Sequence, residues 1–230
     1  MQIEIESDFC RISLEKNGVK KQKLVSLGDL MDELSAYRAT NFGLLPRNLR
    51  IMESQGNFLL MGLEFPALCK TIVVDEYRSG GTRDVEIKEV NLPAGVLFVK
   101  MIRNPGGVMR HADSFLFALK GKRGISFNTD RLYKYPTPNV YDNGRICWGA
   151  VEIEEVTHLS SVEGLVGSFF ANKFNSDLFS GKLTSEFRGG RTSVTSYFKS
   201  LTKEVFQDEW LVQTIHTVGG ISTVLLKGDY

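Results

Sequence analysis

Between Leu49 and Leu119 the chain is a succession of short apolar or alternating runs: Phe58 to Phe65, Lys70 to Val74, Val85 to Val90, Val96 to Ile102 and Ser114 to Leu119. Each is of strand length and too short for a free-standing helix. The breaks carry Arg78-Ser79-Gly80-Gly81 and Asn104-Pro105-Gly106-Gly107, residues that suit tight turns because glycine accepts positive φ and proline fixes a negative one. A chain punctuated this way has to build an antiparallel meander, expected to cover one face and leave the other to solvent. Neither glycine pair is followed by Lys-Ser/Thr or a helical pattern, so both read as turns rather than phosphate cradles.

The flanks differ in character. Ile3 and Ile5 alternate with glutamates, and Cys10, Ile12 and Leu14 alternate with Arg11 and Ser13, the period of half-buried strands. Asn17-Gly18 predicts a hairpin turn. Ser26 and Asp29 stand at cap spacing before Leu30, Met31, Leu34 and Tyr37, a short amphipathic helix. Downstream, Ser160 and Glu163 form a capping-box pattern ahead of Val162, Leu165, Val166, Phe169, Phe170 and Phe174, which predicts a helix lying on the sheet. After Gly189-Gly190, the residues Val194, Phe198, Leu201 and Val205 predict a second helix, and Trp210 to Leu226 reads as a further strand or an irregular cover. The class is α+β: an N-terminal hairpin and short helix at 1–44, a core at 45–180 and a C-terminal helical extension at 181–230.

Composition matters mainly for what it excludes. Apolar residues make up 42% and charged residues 24% of the 230, an ordinary globular balance. The formal net charge of +1 gives no electrostatic reason for nucleic acid or an anionic membrane as partner. No run is long enough to span a bilayer, and the first residues lack signal-peptide order, so a cytoplasmic protein is expected. The three cysteines, Cys10, Cys69 and Cys147, include no C-x-x-C pair, and His111, His158 and His216 are scattered. Reduced thiols and no metal are expected.

The segment that carries chemistry is Tyr135-Pro136-Thr137-Pro138-Asn139-Val140-Tyr141-Asp142-Asn143-Gly144-Arg145-Ile146-Cys147-Trp148-Gly149. Its two prolines favour an extended approach. Asp142-Asn143-Gly144 reads as a tight reversal that returns Cys147 toward Asn139. A thiol facing a side-chain amide can serve acyl transfer, the thiolate holding the acyl group and the amide N–H stabilising an oxyanion.

Pro138-Asn139, the turn ending in Gly144, then Ile146-Cys147 resemble the active-site signature of ubiquitin-conjugating enzymes, in that family's spacing. The order of a meander before and helices after is also similar, and the likeness covers about Leu45 to Phe179. Thr137 stands where that family has histidine, the upstream proline-rich segment is reduced to Tyr135-Pro136, and Trp148-Gly149 replaces the usual leucine. The run is most similar to prokaryotic ubiquitin-conjugating family D, which takes in protein B of the PRTRC gene systems. The resemblance implies a ubiquitin-conjugating-like fold. It further implies a cycle in which a ThiF-like activating enzyme adenylates a ubiquitin-like modifier and passes it to Cys147 as a thioester, which an amine on a target then resolves. A JAB-type peptidase belongs to such systems, and no metal or nucleotide cofactor is required of this chain. Plasmid maintenance and antiphage defence are both open as settings.

Cys10 and Cys69 lie in strand-like runs and read as inert. Asn139 reads equally as oxyanion donor and as loop brace. Thr137 offers a hydroxyl for a scaffold contact, and Arg145 would share a face with Cys147 if the strand pleat is regular. To assist an attacking amine, Glu152, Glu154, Glu155 and His158 are candidates, His158 favoured because imidazole titrates near neutrality. Trp148 reads as packing beneath the site. The basic runs Lys20-Lys21-Gln22-Lys23 and Lys120-Gly121-Lys122-Arg123 read as solvated hairpin tips that could dock an acidic partner. The rival to a conjugating enzyme is a non-catalytic module of the same fold that binds a modifier without forming a bond. An unrelated cysteine hydrolase is the weaker third reading.

Overall fold

The computed structural model describes residues 2–6, 8–16, 19–30, 45–78, 81–103, 109–121, 130–151, 153, 158–190 and 192–227. The turns expected at Asn17-Gly18, Ser79-Gly80 and Asn104 to Gly107, the helix residues Met31, Leu34 and Tyr37, the basic Lys122 and Arg123, and Glu152, Glu154 and Glu155 lie outside them.

Eleven described strands carry most of the fold: β1 (Gln2–Glu6), β2 (Phe9–Lys16), β3 (Val19–Ser26), β4 (Leu49–Gln55), β5 (Phe58–Phe65), β6 (Leu68–Arg78), β7 (Gly81–Leu92), β8 (Gly95–Arg103), β9 (Met109–Ala118), β10 (Arg131–Lys134) and β11 (Gln213–Thr217). Nine form one antiparallel sheet in the order β11-β10-β9-β8-β5-β4-β1-β2-β3. With the helices α1 (Gly164–Ala171), α2 (Val194–Ser200) and α3 (Val218–Lys227), the class is α+β. Strands from 2–26 and 213–217 thus share a sheet with those of 45–180. At Ser26 the expected cap is in place, its Oγ accepting the Asp29 N–H at 3.0 Å.

The meander departs from expectation in two ways. β6 and β7 leave the main sheet and pair with each other as a separate ribbon, so β5 lies directly beside β8. The main sheet is also covered on both faces. Leu97, Val99 and Met101 of β8 point into the larger core with Leu59, Met61 and Leu63, whereas Val96 and Phe98 point the opposite way, with Ile51, Leu60, Phe115 and Phe117. That second face is sealed by Val218, Ile221, Leu225 and Leu226 of α3, each worth about 1.5–3 kcal/mol of apolar burial. Val96 to Ile102 is apolar apart from Lys100 because a strand buried on both sides has no polar face to alternate. The buried Lys100 spans this back layer, its Nζ donating to the Leu225 carbonyl at 2.7 Å, where a cation complements the last turn of α3.

The helices are shorter than their patterns predict. Leu159–Glu163 is a 3-10 turn opened by His158, with no side-chain cap, so the Ser160–Glu163 capping box does not form. Instead the Ser161 Oγ donates to the His158 carbonyl at 2.7 Å. α1 stops at Asn172, and Phe174 belongs to the ribbon: its N–H bonds the Val73 carbonyl and its carbonyl accepts from Asp75. α2 is capped by a Ser193/Ser196 box and ends at Leu201, leaving Val205 exposed. Trp210 to Leu226 resolves into a 3-10 turn, β11 and α3.

Candidate functional site

The segment from Tyr135 to Trp148 starts as an anchored approach, not a plain extended one. Tyr135 is fully buried against Phe65 and Phe170, and its hydroxyl donates to the Pro93 carbonyl at 3.1 Å. The Tyr197 hydroxyl donates to the Pro136 carbonyl. The Thr137 N–H folds back to the Tyr135 carbonyl at 2.9 Å, a local turn that two prolines alone did not predict. Thr137 is buried and its hydroxyl has no hydrogen-bond partner among the described residues, so the expected scaffold contact is not made.

Beyond Pro138 the chain forms a tight hairpin. Gly144 N–H closes the Tyr141–Gly144 turn on the Tyr141 carbonyl (2.9 Å), Tyr141 N–H bonds the Arg145 carbonyl (2.8 Å), and Cys147 N–H bonds the Asn139 carbonyl (2.8 Å). Gly144 takes φ +87°, which this reversal requires and an L side chain resists. The Asn143 Oδ1 accepts the Arg145 N–H at 3.1 Å, a local side-chain bond typical of asparagine in turns. The reversal read from Asp142-Asn143-Gly144 is therefore present, and it sets Cys147 opposite Asn139.

Two further sets of bonds fix the hairpin in space. Leu116 N–H reaches the Gly144 carbonyl and Ile146 N–H reaches the Ser114 carbonyl, both at 2.8 Å, so its returning arm pairs antiparallel with β9. On the other side the Asn139 Nδ2 donates to the Lys173 carbonyl at 2.8 Å, just past α1 and next to Phe174, which the ribbon holds. Asn139 sits in the left-handed region at φ +62°, a conformation asparagine tolerates better than most residues. Its brace role is thus visible. Replacing Asn139 with Ala removes a buried hydrogen bond and puts a poorer residue at positive φ. A loss of about 1–3 kcal/mol is expected in urea unfolding, with the β5–β8 core intact.

Cys147 is half-buried and free. Its own N–H is taken by Asn139, so an oxyanion donor has to come from elsewhere. Arg145 is ion-paired with Asp113 at 2.9 Å. Trp148 packs as expected, edge-to-face on Phe169, and the Asn172 Nδ2 reaches its carbonyl at 3.4 Å. Among the other cysteines, Cys10 is fully buried, and burial pushes its thiol pKa up, as suits an inert core residue. Cys69 is exposed on β6. His158 is exposed and its ring makes no described hydrogen bond, so the structure brings Cys147 and Asn139 together but adds no contact from His158.

Two polar residues unmarked by sequence reasoning stand beside the hairpin. His111 on β9 meets the Trp148 ring edge-to-face at 6.4 Å, and its Nε2 lies 2.6 Å from the Ser114 Oγ. Burial lowers its pKa and the Asp113 carboxylate partly opposes this. The second is Lys182, almost fully buried, whose Nζ donates to the Val140 carbonyl at 2.5 Å. Among the described residues no three His, Cys, Asp or Glu side chains gather as a metal site requires.

What this arrangement offers is a thiol at the end of an anchored turn, with no base hydrogen-bonded to it among the described residues. A model of prokaryotic E2 family D matches residues 77–214, more than half of the chain. The chain belongs to that family. The match takes in β7 to β10, the Cys147 hairpin and the helices α1 and α2, so the family is defined on the elements that build the site. No curated protein and no solved structure matches the chain. No described helix is long and apolar enough to cross a membrane.

Proposed function

We propose that this family D chain carries a ubiquitin-like modifier as a thioester on Cys147, received from a ThiF-like activating enzyme and passed to an acceptor amine, through the ubiquitin-conjugating-like core assigned to 45–180. The observation that carries the reading is the hairpin that presents a free, half-buried thiol at a fixed distance from Asn139. In the loading step the Cys147 thiolate attacks the modifier's thioester carbonyl on the activating enzyme. The carbon–sulfur bond to that enzyme breaks, and its cysteine leaves as thiolate. In the discharge step an amine attacks the new thioester, forms an amide, loses a proton and releases Cys147 as thiolate. The Asn139 Nδ2 has two N–H groups, one committed to Lys173, and the second is the donor we assign to the oxyanion.

His158 is the group we assign to accept the amine's proton, acting from an exposed position after the site. No metal or nucleotide enters either step.

The test is a loading reaction with a ThiF-like activating enzyme, its ubiquitin-like modifier and ATP, run on gels with and without reductant. A reductant-sensitive band heavier by one modifier is expected. His158→Gln is expected to load normally and to slow discharge to a free amine by about tenfold or more. Unchanged discharge removes His158 from the mechanism. Absence of any band with active partners shifts the reading to a module of this fold that binds its modifier without a bond.

A further inference from the structure

A lysine is almost never buried unless something holds its charge, because stripping water from an ammonium is costly. Lys182 is 3% exposed. It follows Gly181, which turns the chain at φ +70°, and it precedes Leu183, which bridges Leu211. Thr184 completes that anchorage, its N–H bonding the Trp210 carbonyl at 2.9 Å and its hydroxyl the Glu209 carbonyl at 2.8 Å. From this fixed strand-like segment the Lys182 side chain runs inward, and its Nζ meets the Val140 carbonyl at 2.5 Å, with the Asp142 Oδ1 at 3.9 Å. Both partners lie in the Cys147 hairpin, Val140 next to Asn139 and opposite Ile146.

We propose that Lys182 is a positioning residue for the acceptor hairpin, gripping the Val140 carbonyl so that Asn139 and Cys147 keep their mutual register. The packing alone does not explain it, since a methionine would fill the same channel without an ammonium to desolvate. The hairpin is held by β9 on its returning arm and by the Lys173 carbonyl at Asn139. Lys182 adds a grip on the outgoing arm between Asn139 and the turn. Asp142 is also held by Lys134, Nζ to Oδ1 at 2.9 Å, so the turn sits between two lysines from different parts of the chain. Burial lowers the Lys182 pKa to about 8; Asp142 opposes this and Lys134 adds to it. The proton on the grip therefore comes off within an accessible range. Tyr135 and Tyr197, buried on the approach to the hairpin, are pushed up, well away from that range.

Lys182 as a support for Cys147 rests on the reading of that residue as acceptor, so its test uses the free protein and needs no modifier. In Cys147→Ser protein, which removes the thiol as a titrating group, the Tyr141 amide is followed by NMR from pH 6 to pH 10. That amide belongs to the peptide whose carbonyl Lys182 holds. A shift with its midpoint near pH 8 is expected, and Lys182→Met is expected to abolish it. The same substitution is expected to cut hydrogen-exchange protection of the Tyr141 amide by about tenfold while β5 and β8 keep theirs. Lys182→Arg, which retains a charged donor, is expected to restore protection and show no step. A Tyr141 amide with no step, or one whose step survives Lys182→Met, overturns the proposal. So does protection within about twofold of the parent in Lys182→Met. If Lys182→Met fails to fold, the parent's step and the Arg variant decide it. Failure of modifier loading in a protein with an intact step counts against Cys147 as acceptor and not against Lys182 as its support.

Discussion

Cys147→Ala is expected to eliminate the reductant-sensitive adduct entirely while leaving the fold unchanged. The chemical half of this follows from nucleophilicity: the thiolate is the attacking group, and alanine has nothing to attack with. The structural half follows from the hairpin, whose ladder is made of backbone bonds from Tyr141, Gly144 and Cys147 that survive loss of a sulfur. Cys147 is only half-buried, so truncation leaves little void. Cys147→Ser is expected to load slowly if at all, and any product should resist reductant and be cleaved by base, because an oxygen ester replaces the thioester. Gel analysis with both treatments reads all three proteins. An adduct that persists in Cys147→Ala and still responds to reductant would point to Cys69, exposed on β6, and would put the acceptor in the wrong place.

How far the sequence leads depends on how local the determining contacts are. Phe58 to Phe65 is read from its own residues and recurs as β5 with the same bounds, since length and apolarity define it without reference to partners. The hairpin at 139–147 is equally legible, because Asn143 and Gly144 force a reversal whatever surrounds them. The capping box at Ser160 was not: its pattern fits a helix start, yet the chain prefers a 3-10 turn there before α1 begins at Gly164. Phe174 continues the apolar period of α1 and still leaves it, drawn off by two backbone bonds to β6. The covered back face could not be seen from the meander, because the helix that seals it, α3, lies more than a hundred residues downstream of β8.

The site shows the same division. Cys147 and Asn139 are neighbours through one turn and are visible as such. His111 and Lys182 reach the same turn only through β9 and the segment at 181–184, contacts set by tertiary packing. An isolated histidine and an isolated lysine carry no pattern that distinguishes them from surface residues. The one local hint for Lys182 is its position between Gly181 and Leu183, in a segment otherwise poor in charge.

Gly144→Ala is expected to be the most damaging single methyl in the molecule for the site. Gly144 is buried, stands at φ +87°, and an added Cβ would lie 2.3 Å from the Phe117 Cζ and 2.6 Å from its Cε1. Two costs combine: about 1–2 kcal/mol for an L residue forced into the left-handed region, and about 1–3 kcal/mol for overpacking against a ring that cannot retreat. The ring is trapped because Phe117 is 1% exposed and packs edge-to-face on Phe98, under α3. A loss of roughly 2–5 kcal/mol should appear as a lower urea midpoint at unchanged slope. The two costs separate in a double-mutant cycle. In a Phe117→Leu background the ring is gone, so Gly144→Ala should cost only the backbone part, about 1–2 kcal/mol. Equal costs in both backgrounds would mean that the hairpin does not rest on Phe117. A loss below about 1 kcal/mol in the parent would mean that Gly144 is not held at positive φ. Because Leu116 N–H bonds the Gly144 carbonyl, the same substitution should also loosen Ile146, next to Cys147, from β9 and slow modifier loading, even where most of the protein stays folded.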